Sequence, residues 1–216
     1  DKIVKVISEM KVPLVVGFNR RYSPLCIKAK EFMKQKHGPY FINYRVNAGF
    51  IPKTHWVQDP EVGGGRIIGE CCHFLDLFNY LIESDVEQIA VGVVPVNNTT
   101  VVANDNVAIT MKWKDGSLTV LTYTSLGHVG LPKERIEIFA DGSSIVLNDF
   151  REMRLYGFKD RNIKLKKQDK GYYQELVELA KYLKGEKSNI ISFQECVKAM
   201  KITFEIERSM LKHGEA

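Results

Sequence analysis

Between residues 87 and 156 the chain is a succession of short β-rich runs, and two of the gaps between them are Asp-Gly pairs. Asp115-Gly116 and Asp141-Gly142 each join such runs, and this dipeptide tolerates the positive φ that a two-residue hairpin demands. The pattern predicts strands over 87–96, 106–113, 118–125, 135–140, 144–147 and 153–156, paired mainly antiparallel. Helical periodicity brackets them on both sides. A block of strands flanked by helices predicts an α+β domain, an open and mostly antiparallel sheet with helices packed on one face.

Upstream, residues 1–11 read as the end of a helix with Ile3, Ile7 and Met10 on one face, and Val12-Pro13 interrupts it. Residues 14–18 form an unalternating apolar run, which suits a strand covered on both faces as in a parallel sheet. This helix–strand pair looks like the last unit of a larger α/β domain. Ser23-Pro24 predicts a helix start, a capping hydroxyl followed by a proline where its missing donor costs nothing, with the helix running to about His37. Residues 40–48 alternate as a strand. Residues 49–65, with Pro52, Pro60 and three consecutive glycines, are irregular, and so long a loop in a compact domain is usually functional. After the sheet, helices are expected over 171–184, with Tyr173, Leu176, Ala180 and Leu183 on one stripe, and over 192–212, with Cys196, Met200 and Phe204.

The chemistry concentrates on a helix expected over 66–84. Ile67, Cys71, Phe74, Leu75, Phe78, Leu81 and Ile82 fall on one arc, and His73 lies off it with Gly69, Asp76 and Tyr80 nearby. Gly63, Gly64 and Gly65 stand just before this helix and permit close backbone approach to a ligand. An imidazole titrates near neutrality, and Glu70 or Asp76, each three residues away, can fix its tautomer. A helix-surface histidine bonded to a local carboxylate is the plainer alternative. Asn19-Arg20-Arg21-Tyr22 follows the early apolar run, where Arg20 suits either an anionic or polyhydroxyl ligand or a salt bridge in a linker. Lys53, His55 and Trp56 offer a sugar stacking and hydrogen bonds, or pack the loop onto its own protein. Tyr123, His128 and Lys133 sit near strand ends and suit a pocket or an interface. The basic residues between Arg151 and Lys167 alternate with apolar ones, as on a protected sheet edge.

Bulk composition narrows the classes. The 216 residues are 44% hydrophobic and 26% charged, ordinary for a globular protein with a substantial core. A net charge of +5 is too mild to point to nucleic acid or a membrane surface, and no apolar run reaches the span length of roughly 20 residues. The four cysteines lack metal spacing and read as reduced thiols of a cytoplasmic protein, with no metal site expected.

The run Val16-Gly17-Phe18-Asn19-Arg20-Arg21-Tyr22-Ser23-Pro24, followed by the glycine turn and the helix with His73 and Asp76, resembles the glucose–fructose oxidoreductase / inositol dehydrogenase (Gfo/Idh/MocA) family. The resemblance implies a C-terminal α+β domain over 23–216 for substrate binding and oligomerisation, with residues 1–22 the helix–strand remnant of a Rossmann domain. It implies NAD or NADP, held mainly by polypeptide upstream, with Asn19 and Arg20 contributing. It further implies a carbohydrate substrate, oxidised at a secondary alcohol or reduced at the ketone, and a homodimer or homotetramer through the sheet. On it, the catalytic group is His73, helped by Glu70 and Asp76, while Arg20, Lys53, His55, Trp56, Gly64 and Gly65 hold substrate. The chain departs from the family twice. The Glu-Lys-Pro lysine is not in it, and Gly69 stands where many members have an aspartate, so Glu70 is the candidate to supply that carboxylate. The fragment alone is expected to be inactive. The alternative is a non-catalytic assembly or carbohydrate-sensing module that kept the fold.

Overall fold

Eight strands form one sheet: β1 (Phe41–Asn47), β2 (Val86–Val93), β3 (Asn106–Trp113), β4 (Leu118–Thr124), β5 (Glu134–Ala140), β6 (Ser143–Asn148), β7 (Glu152–Tyr156) and β8 (Ile163–Lys164). The structure, a computed structural model, describes residues 2–10, 12–94 and 102–213. The strand order is β2-β3-β4-β1-β5-β6-β7-β8, antiparallel throughout except that β1 runs parallel to β4. Both Asp-Gly pairs close hairpins, and Gly116, Asp141 and Gly142 all take positive φ. The expected extension of β2 to Val96 lies outside the described residues.

Alternation makes the sheet two-faced. Ile42, Tyr44 and Val46 of β1, Val107, Ile109, Met111 and Trp113 of β3, and Ile136 and Ile138 of β5 are buried, while Phe41, Lys112, Arg135 and Phe139 face outward. The buried face packs in one cluster with α2 (Pro24–Met33), α3 (Cys72–Ile82) and α5 (Phe193–His213). Each large apolar side chain sealed there contributes about 1.5–3 kcal/mol before entropy is counted. All seven residues of the expected arc from Ile67 to Ile82 are buried.

Several local expectations are corrected. Residues 14–18 form no strand: their backbone bonds are local, Phe18 N–H to Val16 O at 2.7 Å and Asn19 N–H to Gly17 O at 3.0 Å. No strand among the described residues lies beside them to complete a ladder. The helix before them, α1 (Lys2–Met10), buries none of its residues; Asp1 and Lys11 lie outside the described residues. Ser23 does not cap α2 with its side chain but donates its hydroxyl to Asp169 O at 2.7 Å. The helix expected over 66–84 opens instead with a π turn, Ile67–Cys71, before α3 begins. In α4 (Tyr172–Leu183) the apolar stripe faces outward, Tyr173 being 78% exposed, and the buried residue is Glu178. Glu178 is satisfied there by Gln174, Lys181, Ser188 and the Asn189 N–H.

The 3₁₀ turn Asn19–Tyr22 ties the entry segment down. Arg21 donates from Nε and Nη2 to Asp76 on α3 at 3.0 and 2.7 Å, and from Nη1 to Glu195 on α5 at 2.7 Å. Gly171 lets α4 start against this turn: at φ +87°, a Cβ there would meet Asn19 O and Ser23 N at 2.4 Å. Among the described residues no helix is long and apolar enough to cross a membrane. Replacing Arg21 by Met strands Asp76 without its partner in a dry site, where burial pushes the carboxyl up to about 6 even beside the guanidinium, so urea unfolding near neutral pH should show a loss of about 3–5 kcal/mol.

Candidate active site

His73 stands on the first turn of α3, half-buried, directly after the π turn. Such turns recur at functional sites. Its Nδ1 is sealed from solvent with no hydrogen-bond partner among the described residues. The Phe18 ring meets the imidazole edge to face, centroids 5.5 Å apart and planes at 83°. Burial, and then the nearby charge of Arg20, pushes the imidazole down to about 4. The ring is neutral at neutral pH.

Glu70, in the π turn, is the opposite case. Its carboxylate accepts from Lys133 Nζ at 2.5 Å, from the Tyr123 hydroxyl at 2.5 Å and from Arg66 Nη2 at 2.9 Å. Burial disfavours its charge, but the Lys133 ammonium and the other two donors outweigh burial and hold it at about 2. It is a fixed anion. Arg66 continues the network by donating to Gly49 O at 2.6 Å and Ala48 O at 3.3 Å, its guanidinium 5.1 Å from the Tyr123 ring. It also lies 3.9 Å from Asp105, which accepts from Gln58 in the long loop. Lys133, with its side chain 37% exposed, is the donor on Glu70 that reaches solvent most. The arrangement offers a neutral proton acceptor beside an anchored cation.

The expected site residues divide sharply. Asp76 does not fix the His73 tautomer: it is fully buried and both its oxygens bind Arg21. Glu70 does not contact His73 either, because its oxygens serve Lys133, Tyr123 and Arg66. Arg20 is not free for substrate or cofactor, since Nε and Nη2 clasp Glu134 at 2.8 and 3.0 Å and the guanidinium stacks 4.5 Å from the Phe74 ring. Lys170 and Tyr44 donate to the same carboxylate. Asn19 is buried, Nδ2 donating to Lys170 O and Oδ1 left without a partner. Lys53, His55 and Trp56 are exposed on the loop, and the contacts of the last two are local: His55 Nδ1 accepts the Val57 N–H and the two rings lie 5.7 Å apart.

The glycine turn works inward first. A Cβ at Gly63 would stand 2.4 Å from Val57 Cα, so the loop closes on itself there. Gly64 and Gly65 take φ of +70° and +79°, and the Cβ position of Gly65 opens on empty space. Lys133, Tyr123 and Arg66 were not expected as one cluster. The signal for Tyr123 was its inward phase on β4; what joins it to residues 48–70 is the parallel β1–β4 pairing, with Asn47 opposite Thr124.

The sequence profile of the GFO/IDH/MocA C-terminal domain matches residues 39–146, half of the chain. This protein belongs to the GFO/IDH/MocA family. Solved structures with the same fold include an NAD binding oxidoreductase from Klebsiella pneumoniae, at TM-score 0.79 and 15% identity over 98% of this chain and 68% of that one. The UDP-N-acetylglucosamine 3-dehydrogenase GnnA from Acidithiobacillus ferrooxidans gives TM-score 0.75 at 15% identity, covering 97% of this chain and 65% of that one. The WlbA dehydrogenase from Bordetella pertussis, in complex with NADH and UDP-GlcNAcA, gives TM-score 0.74 at 16% identity, with coverage of 98% and 65%. At such identities the likeness speaks to the fold, and this chain spans less than two thirds of the latter two. No curated protein matches the sequence.

Gly69, at the family's frequent aspartate position, is covered by the loop: a Cβ there would lie 3.5 Å from Gly63 O and 3.6 Å from Val57 Cγ2. Glu70 points instead into the Lys133–Tyr123–Arg66 cluster. Because the His73 pKa is depressed in the fold, its contribution to stability is whole above the unfolded value near 6.5 and is lost as pH falls through about 4. Urea unfolding between pH 7 and 4 should therefore show declining stability, and His73→Asn should flatten the decline.

Proposed function

We propose that this chain is the substrate-binding and oligomerisation part of an NAD- or NADP-dependent oxidoreductase. The substrate is a sugar, cyclitol or sugar nucleotide, interconverted between secondary alcohol and ketone. On this reading residues 1–22 end a dinucleotide-binding domain and residues 23–216 form the substrate domain. The observation that carries the proposal is the neutral, half-buried His73 imidazole beside the anchored Lys133–Glu70 pair. A neutral imidazole can take the proton of a substrate hydroxyl and give it back to the product of the reverse reaction. Glu70, held near 2, keeps its charge and positions Lys133, whose ammonium is placed to hold a substrate oxygen. Gly65 allows backbone approach, and Lys53, His55 and Trp56 are proposed to meet the outer part of the substrate.

The described residues do not build a dinucleotide cradle themselves. Phosphates need the N–H groups of a glycine-rich turn opening a helix, and Arg20 is already committed to Glu134. Asn19, the other residue of that segment, is buried, with Oδ1 sealed and without a partner. We therefore assign NAD or NADP to a further domain and derive no step through it. Two features support such a domain: the outward apolar faces of α1 and α4, and the greater length of the two dehydrogenases of lower coverage. Phe41 and Phe139, paired across β1 and β5 on the open sheet face at 6.2 Å, support association through the sheet.

In a polypeptide that includes the dinucleotide-binding domain, His73→Asn should lower turnover by about 10²- to 10⁴-fold and leave cofactor affinity unchanged. Steady-state kinetics with a panel of sugars and sugar nucleotides checks this. Turnover equal to wild type would remove the proton-handling role and favour the assembly or sensing module, to which the absent carboxylate at Gly69 also points. Light scattering should report a dimer or tetramer for the wild type and a smaller species for Phe139→Glu.

A further inference from the structure

An imidazole used in catalysis is ordinarily oriented through its second nitrogen, which bonds a carboxylate or carbonyl. His73 lacks this device. Asp76 is taken by Arg21, Glu70 by Lys133, Tyr123 and Arg66, and Nδ1 meets no partner among the described residues. The outer torsion of a histidine is broad on its own, so something else must set the ring plane. The neighbour in place is Phe18, 1% exposed, its ring perpendicular to the imidazole at 5.5 Å.

Phe18 is itself immobilised. Its side chain packs with Cys72, Ile191, Cys196 and Ala199, joining α3 to α5. Its N–H bonds Val16 O at 2.7 Å, and two residues on Arg20 is fastened to Glu134. We propose that Phe18 is a positioning residue for His73, holding the imidazole edge to face so that Nδ1 stays sealed and Nε2 is the nitrogen that meets substrate. The inference rests on the reading of His73 as the proton-handling group and deepens it. The aromatic contact does two things at once. It blocks rotation of the ring, and it excludes the water that would otherwise solvate the imidazolium. The charged groups acting on the ring are Arg20 from the 3₁₀ turn, Glu70 from the π turn, and Lys133 and Glu134 at the start of β5. None of them is altered by changing Phe18.

The test is nitrogen-resolved NMR of the His73 imidazole in this chain, assigned with His73→Asn, for wild type, Phe18→Leu and Phe18→Tyr. The wild-type ring should show a single neutral tautomer and titrate near 4. In Phe18→Leu the midpoint should rise by about one pH unit or more toward the unperturbed value near 6.5, with the tautomers mixing. Phe18→Tyr keeps the ring and should restore the wild-type behaviour. Should Phe18→Leu fail to fold, Phe18→Met, also flexible and apolar, carries the same measurement. A folded Leu or Met variant whose His73 keeps the wild-type midpoint and tautomer overturns the proposal. Because the readout is the ring's own titration, an unshifted midpoint alongside lost turnover in His73→Asn sinks the Phe18 role alone. A shifted midpoint alongside intact turnover sinks the proton-handling reading alone.

Discussion

Two adjacent arginines hold this domain to the segment that enters it. Arg20 clasps Glu134 at the start of β5, and Arg21 clasps Asp76 on α3 while reaching Glu195 on α5. Arginine suits this work because its guanidinium stays charged even when buried and presents a planar fork that matches a carboxylate. Such pairs add little net stability over a well-packed apolar substitute, since taking the charges out of water offsets most of the attraction. What they add is specification. A carboxylate sealed inside the core can be satisfied in one arrangement of turn, helix and strand, so the entry segment has one seat. Phe18 and Asn19 are placed by that seat, and through Phe18 so is the ring of His73.

The site then draws contrasting behaviour from two side chains three residues apart. Glu70 is surrounded by donors and remains an anion far below neutrality, while burial and the charge of Arg20 outweigh the nearby carboxylates and keep His73 neutral. Environments that push neighbouring titratable groups apart are how acid and base roles are assigned in one pocket. Here the separation leaves the carboxylate unable to carry protons near pH 7 and the imidazole able to accept one. Lys133 gains from the same arrangement: its charge is compensated by Glu70, so a half-exposed ammonium can stay ordered while presenting its remaining donors.

The sheet was legible in the sequence because its signals are local. Asp115-Gly116 and Asp141-Gly142 announce their turns, and the alternation of β3 and β4 announces which side chains face inward. His73 was legible because it falls off an otherwise complete apolar arc. The partners of the polar residues were not legible, because they are set by long-range pairing. Glu134 stands 114 residues from Arg20, and Lys133 stands 63 from Glu70. Asp76 shows the difficulty: three residues from a histidine on a helix, it is a natural partner by spacing, yet Arg21 outcompetes the imidazole with two charged hydrogen bonds. Residues 14–18 show the converse. Their composition suits a buried parallel strand, but a strand exists only beside another, and no described residue supplies one.

The orientation of α4 follows from the same logic of long-range satisfaction. A helix with Tyr173, Leu176, Ala180 and Leu183 on one side would ordinarily turn that side to the core. Glu178 prevents it, because the carboxylate is met by Lys181, Gln174 and the Asn189 N–H only when it faces inward, and Gly171 fixes the start of the helix against the Asn19–Tyr22 turn. The apolar side is left outward, as is that of α1. Exposed apolar stripes of this kind mark surfaces that another polypeptide covers. Gly17 lies close to both the site and α4, the Cβ position there being 3.8 Å from Glu175 Oε1, itself a buried acceptor without a partner. Whatever covers α4 therefore reaches the neighbourhood of Gly17, the residue that precedes Phe18.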